Sequence, residues 1–241
     1  MAGAWRALRF RAWAARLRMH LRRHGERLEL DVAGTPQFTT LPRLRVVATG
    51  GHPGRFRLAI GAGVDLGQSM TLEVWTGGSS ELALGEGTTL GTAVRVELRG
   101  GRIVVGERGQ LRDGAVLKSD GELAAGDDVL ISFGAVVHCT DDVRIGSFST
   151  LADRVTVTDS EHDADGSDAP HMLRPLRVEP VALGRNVLVS ANAVVLRGST
   201  IGANAVVGAG AVVAGGELPG GWLALGAPAK PVRELGADEP R

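Results

Sequence analysis

Residues 183–218 read LGRNVL, VSANAV, VLRGST, IGANAV, VGAGAV and VAGGEL, which are six consecutive steps of six residues. Each step begins with Leu, Val or Ile, and the second residue is small in five of the six steps. A period of six fits neither the 3.6-residue repeat of an amphipathic helix nor the two-residue alternation of an ordinary strand. The stretch therefore indicates a stacked repeat, in which each step is one short strand followed by a tight corner.

Three such steps make one triangular coil, with the aliphatic residue of each step pointing inward. Stacked coils would lie about 4.8 Å apart, which is the spacing of hydrogen-bonded strands. The aliphatic residues then form internal ladders that a single repeat could not bury alone. The repeats predict an all-β chain folded as a parallel β-helix, also called a hexapeptide-repeat solenoid.

The composition suits such a solenoid and narrows the choice of partners. The chain has 241 residues, 44% of them hydrophobic, with 35 glycines and no tyrosine. Its formal net charge is zero, which argues against nucleic acid as a partner of the whole molecule. Cys139 is the single cysteine, so an intrachain disulfide is excluded and a reducing compartment is the simpler assumption. We expect Cys139 to be a buried residue at a coil corner rather than a nucleophile.

Residues 1–29 predict a basic amphipathic helix. Residues 1–30 contain eight arginines, and an apolar face follows from the helical period; it comprises Phe10, Trp13, Leu17, Leu21 and Leu28. This face could attach the protein to an anionic membrane surface or pack on the prism or on a neighbouring subunit. The sequence has no apolar run long enough to span a bilayer and no secretory signal. We expect a cytoplasmic location, with peripheral contact at the inner membrane face as the alternative.

The remaining chain divides by its periodicity. Residues 30–83 predict an irregular β capping region in which the solenoid starts, with recognisable hexads from residue 60. Residues 84–235 predict the regular hexapeptide-repeat domain, and residues 236–241 a tail. The period stops at residues 163–180, which are rich in Asp and Pro and must leave the prism as a loop. Long loops in compact domains are usually functional or disordered.

His162 immediately precedes this loop, at the edge of a rigid coil. A neutral imidazole can accept a proton near neutral pH, and a positioned histidine base accelerates proton transfer by about 10² to 10⁴-fold. Asp159 and Glu161 stand beside it in the sequence. These carboxylates could orient the imidazole, although carboxylates next to a loop more often bind local backbone.

Four segments, in order, carry a family resemblance: DSEH (159–162), PVALGRNV (180–187), VVGAGAVV (206–213) and GAPAKPVR (226–233). Over about residues 84–235 the chain resembles the hexapeptide-repeat acyltransferases that modify sugars. The resemblance implies a left-handed β-helix, a homotrimer with the acyl-CoA site between subunits, and no metal. It also implies direct transfer of an acyl group, with acetyl expected, from acetyl-CoA to a sugar or glycan hydroxyl.

The resemblance further assigns roles to individual residues. His162 would be the general base, with Asp159 beside it in the catalytic site. The cofactor-binding residues would be Ala191 and Ala209, which contact the pantetheine arm, and Lys230 and Arg233, which bind the nucleotide phosphates.

Several alternatives stay open. A β-helix could serve as a non-catalytic scaffold or sugar-binding subunit, in which His162 is incidental. His138 raises a second alternative, zinc-dependent hydration, because some hexapeptide-repeat proteins hold zinc with three histidines. The sequence does not identify the acceptor, choose between O- and N-transfer, or fix the length of the acyl chain.

Overall fold

The computed structural model describes residues 2–49 and 52–236. One helix, α1 (Ala2–Arg23), precedes a long series of short strands, and a 3-10 helix (His171–Leu173) lies in the loop. The strands in chain order are β1 Arg27–Val32, β2 Arg43–Val47, β3 Arg55–Ile60, β4 Thr71–Trp75, β5 Ser79–Leu84, β6 Thr89–Leu90, β7 Arg95–Leu98, β8 Arg102–Val105, β9 Gln110–Leu111, β10 Val116–Ser119, β11 Glu122–Ala125, β12 Leu130–Ile131, β13 Val136–Cys139, β14 Asp142–Ile145, β15 Thr150–Leu151, β16 Thr156–Thr158, β17 Ser160–His162, β18 Leu176–Val178, β19 Val181–Leu183, β20 Leu188–Val189, β21 Val194–Val195, β22 Ser199–Ile201, β23 Val206–Val207, β24 Val212–Val213, β25 Gly216–Leu218, β26 Trp222–Leu225 and β27 Lys230–Glu234.

The strands form three parallel sheets, which are the three faces of a prism. The first face has the order β1-β3-β5-β8-β11-β14-β19-β22-β25, the second β6-β9-β12-β15-β20-β23-β26-β27, and the third β2-β4-β7-β10-β13-β16-β21-β24. Each coil visits the first, second and third faces in turn, and all pairings within the faces are parallel except that β27 folds back antiparallel on β26. The predicted fold class, an all-β parallel β-helix of left-handed type with an N-terminal helix, is confirmed.

The core consists of the aliphatic ladders that the hexads predict. On the second face, five successive coils stack residues that are at most 1% exposed; they are Leu111, Ile131, Leu151, Val189 and Val207. Burying one such side chain contributes about 1.5 to 3 kcal/mol. Because each rung contacts the rungs above and below it, the coils stabilise one another.

The small second residue of the hexad has a steric cause. A Cβ atom added at Gly184 would lie 2.7 Å from the backbone nitrogen of Ala203 in the next coil, and one added at Gly146 would lie 2.5 Å from the carbonyl carbon of Gly184. The backbones of successive coils therefore approach too closely at this corner for a larger residue. Asn192, at another corner, has a φ of 59°, a left-handed conformation that asparagine tolerates better than most residues.

The coil stack extends further towards the N-terminus than the hexads indicate. Arg27 in β1 already pairs in parallel register with Arg55, which pairs with Ser79, so these first coils span 28 and 24 residues. Coils in the middle of the chain span 20 residues, as in the pairing of Arg102 with Glu122. Longer corners in the early coils hide the six-residue period, although the strands between them stack in the same way.

Helix α1 packs its aromatic face on the N-terminal end of the prism. Phe10, Trp13, Leu17 and Leu21 are buried and join the prism core together with Leu28 of β1. The indole nitrogen of Trp13 donates a hydrogen bond of 2.8 Å to the carbonyl oxygen of Pro42. Of the two roles expected for this face, the structure supports packing on the prism, so the same side chains are not available to a membrane.

None of the helical segments in the described ranges combines the length and the apolarity that crossing a membrane would require.

Candidate active site

The excursion of residues 163–180 begins at a corner between the third and first faces. The chain leaves the prism after β16 and forms β17, which pairs antiparallel with the returning strand β18. His162 is the last residue of β17 and lies opposite Leu176. Its side chain is exposed at the loop end of this two-stranded ribbon. The predicted loop is therefore present, and its base is a small sheet of its own.

The hydrogen bond of the His162 ring determines which tautomer the neutral imidazole adopts. Its Nδ1 atom lies 3.1 Å from the backbone carbonyl oxygen of Arg174. A carbonyl oxygen can only accept, so Nδ1 must carry the hydrogen and donate it. In the neutral ring this leaves the lone pair on Nε2. The geometry thus prepares Nε2 of His162 to accept a proton.

The side chain of Arg174 holds in place the backbone carbonyl of the same residue, which accepts from His162. It is buried although it belongs to a loop, and it forms an ion pair of 2.7 Å with the carboxylate of Asp165. Its guanidinium also donates to the carbonyl oxygens of Ala169 at 3.1 Å and of Ser167. The Ser167 backbone N–H, which donates to Asp165, holds the pKa of that carboxyl below its usual range. Arg174 therefore ties the two sides of the loop together.

Asp159 is fully buried, and among the described residues its carboxylate has no hydrogen bond to His162. Its carboxylate accepts hydrogen bonds from the backbone nitrogens of Thr140 and Asp141, both at 2.7 Å, and of Asp142 at 3.1 Å. These three N–H groups belong to the same corner in the preceding coil. The structure therefore gives Asp159 the local backbone contacts weighed as the alternative, and it fixes the corner from which His162 projects.

A cluster of acidic and basic side chains lies at the same edge, and only Glu161 among its members was expected from the sequence. Arg197 forms a 2.7 Å ion pair with Glu161 and a second ion pair with Glu179. These interactions, with the hydrogen bond to Glu161 foremost, raise the pKa of the Arg197 guanidinium. The three side chains line a cleft of about 340 Å³ together with Gly215 and Gly216. Glu161 and His162 are neighbours in a strand, so they project to opposite sides of it.

The two predicted pantetheine-binding residues occupy one corner column. Ala191 and Ala209 lie at the corner between the second and third faces in consecutive coils, and the backbone nitrogen of Gly210 donates to the carbonyl oxygen of Ala191 at 3.0 Å. Ala209 is exposed and Ala191 is half-buried. Their small side chains leave the backbone of this edge accessible.

The predicted phosphate-binding residues lie beyond the last coil. Gly226 continues the corner column, because its carbonyl oxygen accepts from the nitrogen of Val212 at 2.9 Å. Lys230 begins β27 four residues later, and Arg233 lies opposite Leu223 in the same strand. Both side chains are exposed. Ala191, Ala209 and the start of β27 thus follow one edge of the prism.

Within one chain, this edge and His162 are not adjacent. The third face separates the corner of Ala191 from the corner after which His162 follows. At about 3.3 Å per residue, the three-residue strand β16 alone spans roughly 10 Å. The structure therefore brings together the donor candidates as one set and His162 with Arg174 as another.

The two other candidates, Cys139 and His138, lie in surroundings typical of structural residues. Cys139 is fully buried, and burial together with the Asp159 carboxylate raises the pKa of its thiol to about 12. His138 lies on the third face, 3.9 Å from the Asp120 carboxylate. Across residues 2–49 and 52–236, no group of three or more His, Cys, Asp or Glu side chains is arranged to hold a metal ion.

Known proteins contain the same six-residue repeat. Residues 180–215 match the family model described as bacterial transferase hexapeptide (six repeats). A protein named as a probable acetyltransferase of Mycobacterium tuberculosis is 32% identical over 152 residues, which cover 62% of this chain and 49% of that protein. The chain thus spans about half the length of this curated relative.

Solved structures share the fold. A point mutant of AntD, an N-acyltransferase from Bacillus cereus in complex with dTDP-4-amino-4,6-dideoxyglucose and coenzyme A, superposes with a TM-score of 0.56 at 16% identity, over 63% of this chain and 82% of that chain. A second point mutant of the same protein, in the same complex, gives a TM-score of 0.51 at 18% identity, over 58% of this chain and 77% of that chain. The chain therefore carries the repeat of the bacterial hexapeptide transferases, which confirms its resemblance to the hexapeptide-repeat acyltransferases.

Proposed function

We propose that the protein is an acyl-CoA-dependent O-acyltransferase that transfers an acetyl group to a sugar or glycan hydroxyl. The observation that carries this proposal is the hydrogen bond between Nδ1 of His162 and the carbonyl of Arg174. It leaves a proton-accepting Nε2 on an exposed ring, at the loop end of the two-stranded ribbon. The name of the M. tuberculosis relative, a probable acetyltransferase, supports the same class of reaction.

In the proposed mechanism His162 acts as a general base in a direct transfer. Nε2 accepts the proton of the acceptor hydroxyl while the oxygen attacks the thioester carbonyl carbon. The tetrahedral intermediate collapses, the carbon–sulfur bond breaks, and the thiolate of coenzyme A leaves. The imidazolium then returns its proton to the thiolate, so the base is restored without an acyl-enzyme. No residue other than His162 has to change its protonation state.

The proposed donor site is the edge that carries Ala191 and Ala209. The small side chains would let the pantetheine arm approach the backbone, and Lys230 and Arg233 would bind the phosphates as cations. Because His162 lies on another edge of the same chain, we propose a homotrimer in which His162 of one subunit faces the donor edge of the next. The fold relative AntD was crystallised with coenzyme A, which supports a donor of this kind. The donor also implies a cytoplasmic location, where acyl-CoA is available.

The first test is a binding and turnover measurement on the wild-type chain. Titration calorimetry with coenzyme A and acetyl-CoA should give micromolar binding, and sugar acceptors should trigger release of free thiol from acetyl-CoA. Light scattering should report three times the 25.1 kDa mass of one chain. A well-folded protein that binds neither nucleotide would refute the transferase and leave the non-catalytic scaffold. If thiol is released only when the acceptor is an amino sugar, the reaction is N-transfer and not O-transfer.

A further inference from the structure

Helix α1 has a second apolar stripe on the side that faces away from the prism. We call it the outer stripe, and its members follow one another at spacings of three and four residues; they are Trp5, Leu8, Ala12, Ala15 and Met19. Such spacing places side chains on one face of a helix. The stripe lies opposite the buried face, and its large members are exposed: Trp5 by 62%, Leu8 by 58% and Met19 by 45%.

Arginines flank the outer stripe on both sides. Arg9, Arg16 and Arg23 recur every seven residues along one flank, and Arg11, Arg18 and Arg22 lie along the other. α1 contains seven arginines and no acidic residue. The whole chain has 27 basic and 27 acidic residues, so the remainder has 20 basic against 27 acidic residues. One end of the prism is therefore strongly positive.

These arginines differ from those on the prism faces. In the described part of the chain no arginine of α1 forms a salt bridge with a carboxylate, whereas Arg57 pairs with Asp31 and Glu81, and Arg108 pairs with Asp128. Arg9 instead covers the ring of Phe38 at 5.3 Å. The positive charge of the helix is thus left for an external anion.

We propose that the outer stripe and its flanking arginines bind the surface of an anionic lipid bilayer. A bilayer offers an apolar layer for Trp5, Leu8 and Met19, and phosphate groups at the level of both flanks. A tryptophan at this depth can keep its N–H in the headgroup region. This proposal differs from the expectation for the buried face, because the side chains involved are those on the opposite side of the helix.

A second copy of this chain fits the outer stripe poorly. Two identical helices pairing through it would bring flanking arginines against flanking arginines, and like charges at these positions oppose pairing. A soluble polyanion would satisfy the arginines but would leave Trp5 and Leu8 in water. The bilayer surface satisfies both features together, with the long axis of the prism directed away from the membrane.

The test uses the full chain and two kinds of vesicles. One kind consists of phosphatidylcholine alone. The other consists of phosphatidylcholine and phosphatidylglycerol in equal amounts. Co-sedimentation should detect binding to the anionic vesicles and little binding to the neutral ones, with loss of binding at high salt. Trp5→Ser combined with Leu8→Ser should weaken the binding at least about tenfold. Arg11→Gln, Arg18→Gln and Arg22→Gln together should have a similar effect.

A matched control removes the same charge elsewhere. Arg45→Gln, Arg102→Gln and Arg144→Gln together alter arginines on the prism faces whose side chains are 66%, 46% and 66% exposed, and this variant should bind as the wild type does. Thermal denaturation checks that each variant is folded. The proposal is overturned if folded wild type ignores anionic vesicles at low salt, if the Trp5/Leu8 variant binds undiminished, or if the stripe variants change only self-association. Vesicle binding does not require turnover, so this result is independent of the transferase test.

Discussion

The imidazole of His162 and the backbone carbonyl of Arg174 are joined by a hydrogen bond of 3.1 Å across twelve residues of sequence. His162 ends the strand that leaves the prism, and Arg174 precedes the strand that returns. The bond therefore exists only while the loop between them keeps its shape. A residue that shapes the loop controls the tautomer and direction of the proposed base.

Arg174→Gln tests this control. The change removes the ion pair with Asp165 and most of the guanidinium hydrogen bonds. We expect kcat to fall about tenfold or more because the base is misplaced, while KM for the acyl donor stays nearly constant. Arg174→Lys should give an intermediate kcat, since it keeps the charge but loses the planar fork.

Arg177→Gln is the matched control for this position. Arg177 lies in the same ribbon, its side chain is 58% exposed, and it pairs with Asp163 at 2.6 Å. Its loss should leave kcat within about twofold of the wild type because the Arg177 side chain itself is mostly exposed, although its partner Asp163 is only 28% exposed. Equal effects of the two substitutions would remove Arg174 from the positioning role.

Asp159→Ala should act on stability. The carboxylate is buried and satisfies three backbone N–H groups, and leaving such groups unpaired costs about 2 to 3 kcal/mol. Urea denaturation should detect a loss of this size, compared with a change below about 0.5 kcal/mol for Asp120→Ala, whose half-buried carboxylate lies at the corner after β10. A variant of unchanged stability that has lost turnover would instead make Asp159 part of the catalytic site.

Lys230→Ala combined with Arg233→Ala tests the donor site. If these cations bind the phosphates of coenzyme A, the KM for the donor should rise about tenfold or more while kcat changes little. Lys118→Ala, which removes a lysine from the third face, serves as the control. An unchanged donor KM in the double variant would mean that the phosphates bind elsewhere.

The buried thiol of Cys139 should make the free energy of unfolding depend on pH. Its thiol pKa is raised to about 12 from an ordinary value of 9.0, chiefly by burial. At pH 8 the folded protein should react with iodoacetamide at least about 10²-fold more slowly than the unfolded chain, because the thiolate is the nucleophile. The folded state keeps this proton where the unfolded state releases it, so the free energy of unfolding should fall between pH 9 and pH 12. Rapid labelling of the native protein would contradict the buried assignment.

The hexads predict the core because every rung of a stacked ladder imposes the same requirement. Val189 and Val207 occupy equivalent positions one coil apart, and the sequence repeats accordingly. The early coils lack this signal, since Arg27 and Arg55 are 28 residues apart and their corners vary in length. The buried face of α1 is visible in the helical period, but the period alone does not say whether that face meets a prism or a membrane.

The candidate site is less visible because it depends on contacts without a period. His162 is found through its place before the loop and through the family motif. Arg174 has no such signal, since nothing in the order of Asp163, Asp165 and Ser167 identifies the residue that they enclose. Asp159 carries the motif, yet its carboxylate binds the backbone of the preceding coil, a contact that only the stacking of coils creates.

Turnover by His162→Ala tests the proposed base most sharply. Thiol release from acetyl-CoA in the presence of an active sugar acceptor should fall by about 10² to 10⁴-fold, since the proton acceptor is lost. Calorimetry should give nearly the wild-type affinity for coenzyme A, because the proposed contacts with coenzyme A come from the donor edge and not from His162. Near-normal turnover in a folded His162→Ala protein would contradict the assignment of His162 as the base.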